Sequence, residues 1–168
     1  MRKVAVVLLA GVALSAGACG ADPDGRAVDA CALVDPDLAA SLVGDRTGEP
    51  VESSRRAYSA CMWEGGDELD SDRLTVDAAT YDRDDGEAAS RDYRYLSTTW
   101  KCTAAVTVQK AAGSSACRYQ AELNTGIVLN HHGTVARIAY RGPKTPQHDP
   151  ARQAAIADQL AARAFSVL

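Results

Sequence analysis

Apolar residues are laid out along this chain in three ways: one unbroken block, several stretches that recur every three to four residues, and several that alternate. Val4 to Leu14 forms the block behind Arg2 and Lys3, and the apolar run continues to Ala18, about 15 residues in all. Helical spacing first occurs at Leu38, Ala39, Leu42 and Val43, with Asp35 placed as N-cap, Pro36 at the first helical position and Gly44 as terminator. A second helix is predicted from about Asp84, with Glu87 three residues on as in a capping box. Ala89, Tyr93, Leu96 and Trp100 follow at steps of four, three and four, so they share a face that must be core. A last helix opens at Asp149-Pro150 and carries the stripe Ala157, Leu160, Ala161, Ala164 and Leu168.

Alternation marks the strands. Tyr58 to Trp63 is β-prone, and Leu74, Val76 and Ala78 alternate with Thr75 and Asp77, which predicts a hairpin. Thr103 to Gln109 reads as a short strand, and Cys117 to Leu123 as another after the break at Gly113-Ser114-Ser115. Gly126 to Asn130 and Thr134 to Tyr140 form the clearest hairpin, joined by Asn130-His131-His132-Gly133 with Gly133 suited to the left-handed position. Its register puts Val135, Arg137 and Ala139 on one face and Ala136, Ile138 and Tyr140 on the other. The order is α-β-β-α-(β)-β-β-β-α. The expected fold class is α+β: a twisted antiparallel sheet of four to six strands with helices packed on it.

The opening block changes the picture. It falls short of the ~20 residues that span ~30 Å of hydrocarbon, and it ends in Ser15-Ala16-Gly17-Ala18 before Cys19. That pattern predicts a lipoprotein signal peptide over 1–18 whose cleavage leaves Cys19 to be acylated; plain secretion is the alternative, because Ala16 stands where Leu or Val is preferred. Residues 19–29 are then the acylated cysteine and a polar, Pro- and Gly-punctuated tether, and 30–168 a single extracytoplasmic domain. Each buried CH₂ of an acyl chain contributes ~0.8 kcal/mol to membrane attachment. With Cys19 set aside, Cys31, Cys61, Cys102 and Cys117 are an even set suited to an oxidising compartment. Four cysteines permit three pairings, and spacing alone does not choose among them.

Charge is uneven along the chain. Residues 20–92 hold 19 acids and 7 bases, and residues 93–168 hold 3 acids and 9 bases. The expectation is that the halves interleave in one fold and partly compensate; the alternative is an acidic face turned from an anionic membrane and a basic face available to it or to a polyanion. Nucleic-acid binding is not expected, because the basic residues are scattered singly without interleaved aromatics.

Candidate chemistry is sparse. The cysteines have no C-x-x-C spacing for zinc, and His131-His132 reads as a solvated turn, as does His148 in its polar loop. Asp82 to Glu87 is similar to a calcium loop only in its acids, since its twelfth position is Tyr93, and Asp67, Glu68, Asp70 and Asp72 read as a solvated turn. Ser114 and Ser115 lack the G-x-S-x-G context, and no motif places a His or an acid beside either. No phosphate-cradling or dinucleotide fingerprint occurs, so no catalytic residue, metal or cofactor is expected.

Two segments carry a resemblance. Cys31-Ala32-Leu33-Val34-Asp35 running to Leu42-Val43-Gly44, then Cys61-Met62-Trp63, resembles the C-x-L-L … G … C-x-W signature of a large actinobacterial family of cell-envelope lipoproteins of unknown function. Gly113 to Ala116, Gly126 to Leu129 and Val135 to Tyr140 resemble a degenerate form of that family's G-L-G-D-x-A turn and hairpin. An Arg-over-Lys, Ala-rich composition agrees with an actinobacterial source. The resemblance implies a Cys31 to Cys61 bridge, which leaves Cys102 for Cys117. No member's catalytic residues can be carried over, because the family pattern is one of disulfides and packing. The resulting expectation is a membrane-anchored, monomeric, non-catalytic binding module for an envelope lipid or protein. Its ligand-facing candidates are Trp63, Trp100, Tyr140 and Phe165, on the sheet or between sheet and helix. A small secreted hydrolase, or an extracellular inhibitor or structural protein, are the alternatives.

Overall fold

A computed structural model describes residues 28–44, 49–51, 57–65, 72–106, 114–120, 124–142 and 149–168. Residues 1–27, which include the expected signal peptide, Cys19 and most of the expected tether, lie outside the described residues, as do Asp67, Glu68, Asp70, Thr107 to Gln109, Gly113, Ala121 to Leu123 and His148.

A 3₁₀ turn at Ala30–Leu33 opens the domain, with the Asp29 carboxylate accepting from the Cys31 N–H at 2.9 Å. Helix α1 (Pro36–Val43) follows, capped as its sequence dictates: Asp35 accepts from the N–H groups of Asp37 and Leu38, and Gly44 ends the helix at φ 82°. Then come β1 (Glu49–Val51), β2 (Tyr58–Glu64), β3 (Arg73–Thr80), α2 (Gly86–Thr99), β4 (Ala104–Ala105), β5 (Ser115–Gln120), β6 (Asn124–His131), β7 (Thr134–Arg141) and α3 (Pro150–Val167). Asp149 caps α3 by accepting from the Ala151 N–H.

All neighbours in the sheet are antiparallel, in the order β1-β2-β3-β7-β6-β5-β4. The five strands of six to eight residues fall within the expected range, and the two edge strands are only three and two residues long. Strand β1 has no periodicity to announce it. Its Pro50 is tolerated because an edge strand need not donate on both sides.

Helix α2 begins differently from its sequence expectation. Instead of a capping box at Asp84 and Glu87, a 3₁₀ turn over Arg83–Asp85 feeds into Gly86, and no side chain caps the helix. The Asp85 N–H donates to the Asp82 carbonyl at 2.8 Å, so the backbone closes this turn without a carboxylate.

Helices cover both faces. Leu74, Val76, Ala78, Ile127, Leu129, Ala136 and Ile138 meet α1, α3 and the first 3₁₀ turn in the main core, where Ala157, Leu160, Ala161 and Ala164 of α3 are fully buried. Burying one such leucine contributes about 1.5–3 kcal/mol. On the opposite face, Cys117, Tyr119 and Val128 meet Tyr93, Leu96 and Trp100, the stripe along α2. The hairpin register follows the expectation: Ala136, Ile138 and Tyr140 face the main core, and Ala139 faces the α2 layer.

The acidic and basic halves interleave. Strand β3 lies beside β7, and Asp77 pairs directly across from Arg137. Two disulfides brace the sheet: Cys31 to Cys61 ties the first 3₁₀ turn to β2 with Cα atoms 5.1 Å apart, and Cys102 to Cys117 ties the exit of α2 to β5 at 5.7 Å.

Candidate functional site

The α2 face of the sheet is built in rows set by strand register. One row crosses Cys117, Val128, Arg137, Asp77 and Ala60, and the next crosses Tyr119, Gly126, Ala139, Thr75 and Met62. Helix α2 lies over β6 and β7. Toward β2 the same face carries half-buried Tyr58, Met62, Thr75 and Asp77.

A continuous set of aromatic and charged groups runs along this face. The Tyr58 hydroxyl donates to Asp77 Oδ1 at 2.6 Å, and Arg137 donates through Nε to Asp77 Oδ2 at 2.9 Å and through a terminal nitrogen to the same oxygen. The Arg137 guanidinium sits 4.6 Å from the Trp100 ring centroid, within cation–π range. Trp100 in turn stacks on Tyr119 at 5.1 Å with an interplanar angle of 36°. Tyr119 is 0% exposed, and its hydroxyl has no hydrogen-bond partner. Burial pushes that phenol up to about 12, with Arg137 lowering it and Asp77 raising it. The ring occupies space that Gly126 leaves open, because a Cβ there would stand 2.6 Å from Tyr119 Oη and press into the Ile138 carbonyl oxygen.

The four ligand-facing candidates do not converge. Trp63 is 5% exposed in the main core, opposite Leu74, which is itself opposite Tyr140. Tyr140 is half-buried on that side, and its hydroxyl donates to Asp72 Oδ1 at 2.9 Å; burial first, then Asp72, raises it. Phe165 packs edge-on against His131 with centroids 5.4 Å apart. Trp100 alone lies on the α2 face. Tyr119, Arg137 and Asp77 are not among those candidates, since only the pairings of β5 with β6, β6 with β7 and β7 with β3 bring them together.

His131 departs from expectation. It is 7% exposed, because β6 runs one residue further than its pattern shows: His131 pairs with Thr134, and the turn consists of His132 at φ 47° and Gly133 at φ 86°. The two histidine rings lie 4.1 Å apart, and His131 Nδ1 is 2.5 Å from Ser114 Oγ. A serine beside a neutral imidazole is half of a nucleophilic constellation. No carboxylate bears on this ring among the described residues, whose perturbers are burial and then His132, both lowering its pKa.

That lowered value has a consequence for stability. The unfolded imidazole takes a proton near pH 6.5, and the folded one resists it. Above that pH the group contributes nothing; as pH falls below it, the unfolded chain gains a proton the native state lacks, and stability drops until the folded value is passed. Urea midpoints measured from pH 7.5 down to 5 are therefore expected to fall more steeply in the parent than in His131→Gln. Parallel curves would show that another group sets the acid limb.

Among the described residues no three His, Cys, Asp or Glu side chains gather to hold a metal ion. No protein-family model, no curated protein and no solved structure matches this chain.

Proposed function

We propose that the protein is an extracytoplasmic lipoprotein, held to the membrane by acyl chains on Cys19, whose domain is a non-catalytic binding module of the cell envelope. The observation that carries this reading is the pair of disulfides: four of the five cysteines are consumed in crosslinks, and the fifth follows an export-type apolar block. Such crosslinks persist in oxidising compartments. No helix among the described residues is long and apolar enough to cross a membrane, so attachment would depend on the lipid. The resemblance to actinobacterial envelope lipoproteins supports the same address. The half-open α2 face supports recognition of an envelope lipid or a protein partner by a monomer. A small hydrolase is the alternative, with the Ser114–His131 contact on its side.

The test is expression of the full chain in a bacterium with lipoprotein-processing enzymes, under labelling with an alkyne palmitate analogue. The labelled, disulfide-bonded protein is expected in the membrane fraction and open to protease on spheroplasts. Cys19→Ala is expected to lose the label and appear in the medium. An unprocessed, reduced chain in the cytosol overturns the proposal, and an unlabelled parent protein in the medium replaces it with plain secretion.

A further inference from the structure

We propose that the Cys102–Cys117 bridge is a redox latch on α2: when a dithiol reduces it, α2 leaves the sheet as a unit, while the main core and the Cys31–Cys61 bridge stay intact. This holds whatever the domain binds, because it concerns only how the two helical layers are fastened.

Those layers are anchored unequally. Helix α3 buries Gln153, Ile156, Ala157, Leu160, Ala161 and Ala164, whereas α2 buries Ala89 alone and leaves Tyr93, Leu96 and Trp100 half-buried. Beneath α2 the buried set is Cys117, Tyr119 and Val128, so one of its three members is itself half of the bridge. No side chain caps the start of α2, where Gly86 stands. Midway along, Asp92 accepts from the Tyr81 hydroxyl at 2.7 Å, and at the exit Trp100 meets Arg137 and Tyr119. Past that point the chain returns through β4, which pairs with β5 over two residues. An element with so little buried apolar surface opens at a lower free energy than the whole domain. The bridge opposes that opening, because it fixes the residue two places beyond Trp100 to β5.

The other bridge has different surroundings. Cys61 is 1% exposed, and Cys31 lies in a 3₁₀ turn whose Ala30 and Leu33, with the following Val34, are buried in the main core. Core packing keeps those two sulfurs together even when their bond is cut, which favours its re-formation. Cys102, by contrast, is flanked by exposed Lys101 and Thr103, and the lysine ammonium favours the approach of a thiolate. One thiolate of the dithiol attacks Cys102 Sγ, the S–S bond breaks, and Cys117 Sγ leaves as a thiolate that takes a proton from water. The second sulfur of the dithiol, having lost its proton to water, attacks the first; a disulfide forms in the reductant, and Cys102 is released and protonated. Two electrons pass from the dithiol to the bridge. The departure of α2 then uncovers Tyr119, Val128 and Arg137, so a covered face of the sheet becomes an open one.

The experiment uses the full chain bearing Cys19→Ala, oxidised, in native buffer with dithiothreitol as the probe. Aliquots are alkylated over time and peptide-mapped, and backbone hydrogen exchange is followed in parallel. Cys102 and Cys117 are expected to be alkylated about tenfold sooner than Cys31 and Cys61. In the half-reduced protein the amides of residues 86–99 are expected to exchange about a hundredfold faster, with those of β3 and β7 unchanged, and glutathione disulfide is expected to restore the slow exchange. Cys102→Ala combined with Cys117→Ala should show the fast α2 exchange without any reductant. Alkylation of Cys31 and Cys61 first, or of all four together, overturns the latch. So does unchanged α2 exchange once Cys102 and Cys117 are reduced, since packing alone would then hold the helix. Loss of protection in β3 and β7 along with α2, in the half-reduced protein or in the double variant, shows the layers to be inseparable and overturns it as well.

Discussion

Replacing Cys31 and Cys61 together by alanine is expected to lower the unfolding free energy by about 3–4 kcal/mol. The bridge spans 30 residues, and in the chain-entropy view its loss returns to the unfolded ensemble the freedom of a loop of that length. The 15-residue loop of Cys102 and Cys117 gives about 3 kcal/mol by the same reasoning. The longer bridge also fixes geometry. Cys61 pairs with Val76 in the sheet, whereas Cys31 sits in the 3₁₀ turn whose Leu33, together with the following Val34, is fully buried in the main core. Urea unfolding of the parent and the double variant, with m-values compared, measures the difference. An unchanged midpoint would mean that packing against α3 already holds the turn and that the crosslink contributes no further constraint.

Gly126→Ala is expected to cost about 3 kcal/mol, the upper end of what overpacking a filled interior does. Its Cβ would meet two things of unequal softness: the Tyr119 hydroxyl at the far end of a side chain, and the carbonyl oxygen of Ile138 on the neighbouring strand. A ring can tilt by a few tenths of an ångström, but a paired backbone carbonyl moves only with its strand. Combining Gly126→Ala with Tyr119→Phe should therefore recover part of the loss and leave the larger share. A denaturation cycle over the four proteins resolves the two parts. Full recovery in the double variant would identify the phenol as the sole obstacle.

Much of this fold is local and so can be read in advance. The proline-led starts of α1 and α3 and the apolar stripe of α2 depend on residues a few positions apart and stand where their patterns put them, and the β6–β7 hairpin keeps its expected register with β6 extended to His131. The disulfide pairing implied by the family-like placement of Cys31 and Cys61 is the one found. What could not be read is non-local. Nothing in Glu49-Pro50-Val51 announces an edge strand, because its existence depends on β2 having a free side. His131 sits in a run of turn-like residues, and only the extra Thr134 pairing buries it. Nothing local to Trp63, Trp100, Tyr140 and Phe165 says whether they share a site, and the sheet puts Trp63, Tyr140 and Phe165 on one side and Trp100 on the other. Tyr119 carries no local signal because an unpartnered hydroxyl is defined by its neighbours on β6 and α2, not by its own segment.

The place of β7 has a consequence for the export proposed for this chain. Among the described strands it is the last to be synthesised, yet it stands at the centre of the sheet with three strands on either side. Until residues 134–141 arrive, the β1-β2-β3 and β6-β5-β4 blocks share no hydrogen-bonded edge, and each is a fragment with one raw flank. A polypeptide threaded head-first through a translocation pore would thus stay pliable for most of its passage. It would lock only when its tail emerged on the far side, where oxidants could then staple the finished sheet.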